Sequence, residues 1–183
     1  MSQRKEFRLS GSGGQGLILA AIILADAVAM EGKHVVQTQS YGPEARGGAS
    51  KAEVIIDEVE IDYPKVTNPD FVLTMSDKAY DKYGTKYKDD GVLLVDSTFV
   101  KEVASSDKKV VVLPITKYAR EKIGKEIVSN IVALGVINGL TQVVSHENLK
   151  EAVFSRTPPG TEELNANALD LGLSLAEEYK NNL

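Results

Sequence analysis

Residues 10–16 read Ser10-Gly11-Ser12-Gly13-Gly14-Gln15-Gly16, between a short apolar run at Phe7-Arg8-Leu9 and a long one from Leu17 to Met30. A chain that leaves a strand, turns on glycines and enters a helix points free backbone N–H groups outward from the positive end of that helix, where anions are attracted. Glycines at 11, 13 and 16 have the spacing of a phosphate-binding turn, in which missing side chains permit a tight bend, close approach of a pyrophosphate and close helix–strand packing. A purely structural turn that only lets the helix pack would carry the same glycines. Gln15 would either donate to a ligand or face water.

Downstream of the turn, Leu17 to Ala25 is apolar on every side, so this helix is expected to be buried or to lie in an interface. Gly32, just past Glu31, suits a helix C-cap. The β-branched run from Val35 to Ser40 predicts a second strand and a first β-α-β unit, for which parallel pairing is the default. A dinucleotide fold would end that strand on an Asp or Glu that holds the ribose hydroxyls. Here it ends Gln37-Thr38-Gln39-Ser40, which counts against NAD or FAD. The loop beyond this strand reads Tyr41-Gly42-Pro43-Glu44-Ala45-Arg46-Gly47-Gly48-Ala49-Ser50. Turn chemistry accounts for its Gly and Pro, but not for an aromatic and an arginine between them.

Lys51 to Ile56 and Glu58 to Ile61 predict a short hairpin or bent antiparallel edge around Asp57. Phe71 to Met75 reads as a central parallel strand and is followed by a helix from an N-cap at Ser76 to Tyr83, ended by Gly84. Gly91 to Asp96 and Lys109 to Pro114 are further buried strands. From Thr116 the pattern is helical: Lys117 to Ile123, Ile127 to Val144, His146 to Phe154, and a last helix from Thr161 with Leu164, Ala168, Leu171 and Leu175 on one face. Asn130, Gly135, Asn138 and Gly139 leave room for a close neighbour in the second of these, either inside the chain or across an interface. The class is therefore α/β.

A chain of 183 residues with 43% hydrophobic content can bury one substantial core, so residues 1–183 are expected to form a single domain. Its net charge of −5 and its lack of a long Lys or Arg run disfavour nucleic acid as a partner. The absence of cysteine removes disulfides, thiolate nucleophiles and self-held iron–sulfur clusters. Two histidines far apart in the chain, His34 and His146, do not suggest a metal site. The longest apolar stretch is interrupted by Asp26 and is too short for a bilayer, so a cytoplasmic protein with no membrane partner is expected.

Among single residues, Arg46 suits a phosphate or carboxylate, with an ion pair to Glu44 or Asp57 as the plain alternative. Tyr41 could stack on a ring or pack over a sheet edge. Asp96 and Ser97 end a strand where open α/β sheets place ligands, although Asp there is also an ordinary turn residue. His34 reads as a surface residue. No nucleophile, base and orienting group can be assembled into a catalytic set.

With both glycine-rich stretches in view, the sequence resembles the gamma subunit of 2-oxoacid:ferredoxin oxidoreductases, and within them the 2-oxoglutarate type. The residues that carry the likeness are Leu9 to Gly16, Gln37 to Ser50, and Ile61-Asp62-Tyr63-Pro64-Lys65-Val66. A pyruvate-type relative would tend to carry a Phe-Gly stretch and a second Arg in the loop that here reads Ser40 to Arg46.

The resemblance implies a Rossmann-like, mostly parallel sheet with helices on both faces, a short antiparallel edge and C-terminal helices. It implies a complex that converts 2-oxoglutarate and coenzyme A to succinyl-CoA and carbon dioxide while reducing ferredoxin. The partners implied are alpha and beta subunits that hold thiamine diphosphate and Mg2+, a ferredoxin-like delta subunit, and ferredoxin, with iron–sulfur clusters on other chains. This chain alone would hold no cofactor or metal and would be inactive. Gly11, Ser12, Gly13, Gly14, Gln15 and Gly16, with Tyr41, Gly42, Glu44, Arg46, Gly47 and Gly48, would lie on the coenzyme A side or at a subunit interface, with no catalytic residue. The two apolar helices would be partly exposed until partners bind. A pyruvate-type subunit and an independent nucleotide-binding protein are the alternatives.

Overall fold

The structure is a computed structural model and describes residues 3–40 and 48–181. Six strands, β1 (Lys5–Gly11), β2 (His34–Gln39), β3 (Ser50–Asp57), β4 (Phe71–Thr74), β5 (Val92–Asp96) and β6 (Lys109–Leu113), form one sheet in the order β2-β3-β1-β4-β5-β6. β1, β4, β5 and β6 pair in parallel, as the buried apolar runs predict.

The other side of the sheet corrects two expectations. β1 and β2 point the same way but do not pair, because β3 lies between them, antiparallel to both. The strand from Ser50 therefore sits one place in from the rim, and with β2 it forms the antiparallel edge of the sheet. Val54, Ile55 and Ile56 are all buried, so both of its faces need cover, whereas the Gln and Thr residues of β2 suit the rim. The second arm expected at Glu58 to Ile61 is not a strand. Asp57 Oδ1 accepts the N–H groups of Gln3 and Glu58 where the chain leaves the sheet.

Helices cover both faces unequally. α1 (Leu17–Met30), α3 (Ile115–Tyr118), α4 (Ser129–Thr141), α5 (His146–Arg156) and α6 (Glu162–Asn181) share one core with Leu9, Val54, Leu73, Leu94 and Val111, and Phe7 stacks on Phe71 at 5.9 Å between ring centroids. α2 (Asp77–Tyr83) is on the opposite face, packed with Val72, Leu93 and Val95. Ser76 caps it, its hydroxyl accepting the Ala79 N–H at 3.3 Å. A π turn over Ala119–Ile123 extends α3, and a 3₁₀ turn over Glu126–Val128 leads into α4.

Of the two apolar helices, α4 is closed off inside the chain. A Cβ on Gly135 would sit 2.9 Å from the Cα of Gly172 on α6, so two glycines bring these backbones together. That resolves the choice left open for Gly135 in favour of internal packing. α1 keeps a half-buried stripe at Ile18, Ile22 and Ala25.

The face of β1 and β3 opposite α1 carries buried polar side chains, with Tyr83 at the end of α2 packed over it. Arg8 Nε donates to Glu53 Oε1 at 2.7 Å, both nearly buried, with the guanidinium 5.3 Å from the Tyr83 ring centroid. Glu6 Oε2 accepts the N–H groups of Thr67 and Asn68, and Arg4 donates to the carbonyls of Tyr63 and Lys65. The Ile61 to Val66 stretch is held over the sheet by its backbone.

Candidate functional site

The chain leaves β1 through the glycine turn toward β2, and leaves β4 at Ser76 toward β5, so the connections diverge between adjacent strands. Open α/β sheets hold ligands at such a switch point, outside the carboxyl ends of the strands. Gln15 spans it. Its Oε1 accepts the Ser12 N–H at 2.7 Å and its Nε2 donates to the Met75 carbonyl at 2.8 Å. Gln15 therefore neither simply faces water nor is free: it takes up one of the turn's own donors.

Gly16 has φ +72°, a left-handed conformation that suits glycine, and a Cβ there would lie 2.5 Å from Asn130 Nδ2. Asn130 uses that nitrogen to donate to the Gly16 carbonyl at 3.1 Å, fastening the start of α1 to α4. A Cβ on Gly11 would lie 2.3 Å from Gln15 Oε1 and 2.7 Å from Leu17 Cδ1, so a side chain there would push against the Gln15 bridge. No side chain caps α1, and Ser12, Gly13 and Gly14 are exposed. The amides of the first turn of α1 have no acceptor within the helix and lie at its positive end.

Tyr41, Gly42, Glu44, Arg46 and Gly47 lie outside the described residues. Gly48 is half-buried, Ala49 packs with Val72 and Tyr83, and Ser50 is paired with Gly11, its hydroxyl donating to the Gly11 carbonyl at 3.2 Å. The two glycine-rich stretches thus meet at their roots, at one end of the sheet. Asp57, one of the acids weighed as a partner for Arg46, is at the far end of β3, about 23 Å along the strand from Ser50.

Asp96 is structural. Its fully buried carboxylate accepts Thr98 N–H at 3.0 Å, Thr116 N–H at 3.1 Å and Thr116 Oγ1 at 2.5 Å, binding the end of β5 to α3. His34 is exposed at the start of edge strand β2, as expected. The groups displaced from their ordinary pKa lie elsewhere: Glu31 is lowered, chiefly by the Ser145 N–H, and Tyr87 is raised by burial. Among the described residues, no group of three His, Asp or Glu is placed to hold a metal, and no helix is long and apolar enough to cross a membrane.

Two clefts open beside the turn. One, about 340 Å³, is lined by Gly14, Gly16, Leu19, Ile131 and Leu164, and the other, about 270 Å³, by Gly14, Gln15, Phe99, Thr116 and Glu126. Ile127, 80% exposed, borders both. Met75, Phe99 and Ile127 border the site although the sequence pattern assigns them only to a strand, a loop and a helix. Ile127 stands beside Val128 in the sequence, and no local pattern separates its exposed side chain from the buried Val128.

A mostly parallel α/β sheet with a glycine turn at its switch point defines the broad class of Rossmann-like proteins. Residues 6–175 match the family described as pyruvate ferredoxin/flavodoxin oxidoreductase, and the chain belongs to that family. It is 48% identical to the 2-oxoglutarate synthase subunit KorC of Methanocaldococcus jannaschii over 181 residues, 97% of each chain. It is 32% identical to the pyruvate synthase subunit PorC of Methanothermobacter thermautotrophicus, over 97% of this chain and 99% of that one. The crystal structure of a keto/oxoacid ferredoxin oxidoreductase gamma subunit from Geobacter sulfurreducens superposes with a TM-score of 0.86 at 46% identity, covering 95% of this chain and 99% of that one.

Proposed function

We propose that this chain is the gamma subunit of a 2-oxoglutarate:ferredoxin oxidoreductase, acting in the cytoplasm as one domain within a larger complex. In that complex 2-oxoglutarate, coenzyme A and oxidised ferredoxin give succinyl-CoA, carbon dioxide and reduced ferredoxin. Thiamine diphosphate, Mg2+ and iron–sulfur clusters would be held by alpha, beta and delta partners, because a chain without cysteine cannot hold a thiolate-ligated cluster itself. The 2-oxoglutarate assignment over the pyruvate one is favoured by 48% identity against 32% for the named relatives.

The observation that carries the reading is the junction of Gly11 with Ser50, which roots both motif-bearing stretches at the ligand-binding end of the sheet. From there residues 11–16 would form one wall of the coenzyme A side of a shared site, and the stretch bearing Tyr41, Gly42, Glu44, Arg46, Gly47 and Gly48 the other. The chain would enclose and assemble the site, with no catalytic residue of its own.

Copurification tests this. The tagged chain should bring down thiamine-enzyme subunits whose activity, measured on a panel of 2-oxoacids, is highest with 2-oxoglutarate. Recovery of the chain alone sinks the reading, and a preference for pyruvate reassigns the substrate. Arg46→Ala in the assembled complex should raise the coenzyme A concentration needed for half-maximal rate. A second reading, an independent nucleotide-binding protein, is favoured by the glycine turn at the switch point. Calorimetric titration of the isolated chain with NAD, FAD, ATP and coenzyme A separates the two, since tight NAD binding would support the second.

A further inference from the structure

Across the carboxyl ends of the strands from the glycine turn, Phe99 and Ile127 form a surface to which the proposed function gives no role. Phe99 and Ile127, 38% and 80% exposed, flank one cleft with Gln15. Cations surround them. Lys101 Nζ rests on the carbonyls of Ser97 and Thr98, at 3.3 and 2.5 Å, rather than on a carboxylate. The Thr98 hydroxyl accepts the backbone N–H of Lys117 at 3.0 Å, which sets Lys117 beside Lys101. Arg120 lies 3.7 Å from Glu126, which lines the same cleft. Lys101, Lys117 and Arg120 are exposed. At this end of the sheet Lys101, Lys117, Arg120, Lys122 and Lys125 stand against Glu102, Glu121 and Glu126, a local charge of +2 in a chain of net −5.

We infer that this surface docks an acidic stretch of a different protein chain, which inserts an apolar side chain between Phe99 and Ile127. An apolar centre inside a charged rim is the anatomy of a protein interface, and the rim charge selects a partner of opposite sign. A second copy of this chain is the poorer occupant, because a two-fold contact sets the same patch against itself and brings cation to cation. A nucleic-acid backbone would leave Ile127 without a role. The inference rests on the proposed function, and it assigns the face by which a partner subunit would close the cleft at Gln15.

The test uses the complex. Lys101→Glu with Lys117→Glu reverses the rim, and Ile127→Ser removes the centre. Because all three side chains are exposed, circular dichroism melting curves of the variants should match the parent. In pull-downs the charge reversal should cut partner retention about tenfold or more at low salt, and the deficit should shrink as salt screens the rim. Ile127→Ser should lower retention at every salt concentration. Parent-like retention by both variants overturns the inference while leaving the proposed function standing. So does intact assembly with a raised coenzyme A requirement, which would make the patch a small-anion site. If the parent chain itself retains no oxidoreductase subunits, the proposed function falls and the inference with it.

Discussion

Gln15 Nε2 and the carbonyl of Met75 are joined by a 2.8 Å hydrogen bond that ties the turn after β1 to the end of β4. Replacing Gln15 by alanine leaves the fully buried Met75 without that donor, while the exposed Ser12 N–H can turn to water. Gln15→Ala should therefore cost about 1–2 kcal/mol, read as a shift of urea midpoint at constant slope. In the complex it should also alter the coenzyme A requirement if this turn walls the site, and an unchanged requirement would leave the clasp purely structural.

The contact of α4 with α6 predicts a steep cost for one added methyl group. In Gly172→Ala the new Cβ meets the Gly135 Cα at 2.8 Å and cannot be relieved by a rotamer change, so a loss of about 2–3 kcal/mol is expected. Gly124→Ala is the comparison. There φ is +82° with nothing within 4 Å, and only about 1–2 kcal/mol of left-handed strain applies. Equal melting temperatures for the two variants would contradict the packing argument.

Buried charge on the polar face behaves asymmetrically. Glu53→Leu strands Arg8, whose other polar contact among the described residues is the Val66 carbonyl at 3.5 Å, and should lose about 3–5 kcal/mol. Adding Arg8→Met removes the stranded charge and should recover most of the loss. A double variant no more stable than Glu53→Leu alone would refute this.

Asp96→Asn replaces one carboxylate oxygen with an amide nitrogen that faces donors instead of accepting from them. With Thr98 and Thr116 both depending on this carboxylate, a loss of about 2–3 kcal/mol is expected, with parent-like coenzyme A dependence in whatever complex assembles. A catalytic or ligand role would instead depress rate without depressing stability.

Glu31 provides a pH signature. The Ser145 N–H, donated at 2.5 Å, and Lys33 hold its carboxyl below its ordinary value of 4.5 in the folded state. A depressed folded pKa stabilises the protein above the unfolded value, and that contribution is lost as pH falls through the lower folded value. Between pH 6 and pH 3 the parent should therefore lose more stability than Glu31→Gln, and parallel pH profiles for the two proteins would exclude this contact as the cause.

The amino-acid sequence by itself determined the elements, because short-range physics sets them. The run at Val110-Val111-Val112, the Ser76 cap and the glycines around Gln15 each act within a few residues. Most helices and strands fall within a residue or two of expectation, as does the placing of glycines between β1 and α1, while α4 ends three residues before the expected Val144. Sequence similarity likewise carried the family. Only the tertiary structure decided that β3 separates β1 from β2, because strand order depends on which faces find cover over many residues, and no local pattern records it. It also decided that α4 is sealed by α6 through Gly135 and Gly172, two residues 37 positions apart. Gln15 is the sharpest case. Its partner at Met75, 60 positions on, follows from the adjacency of β1 and β4, so its engagement across the crevice appears only once the sheet has formed.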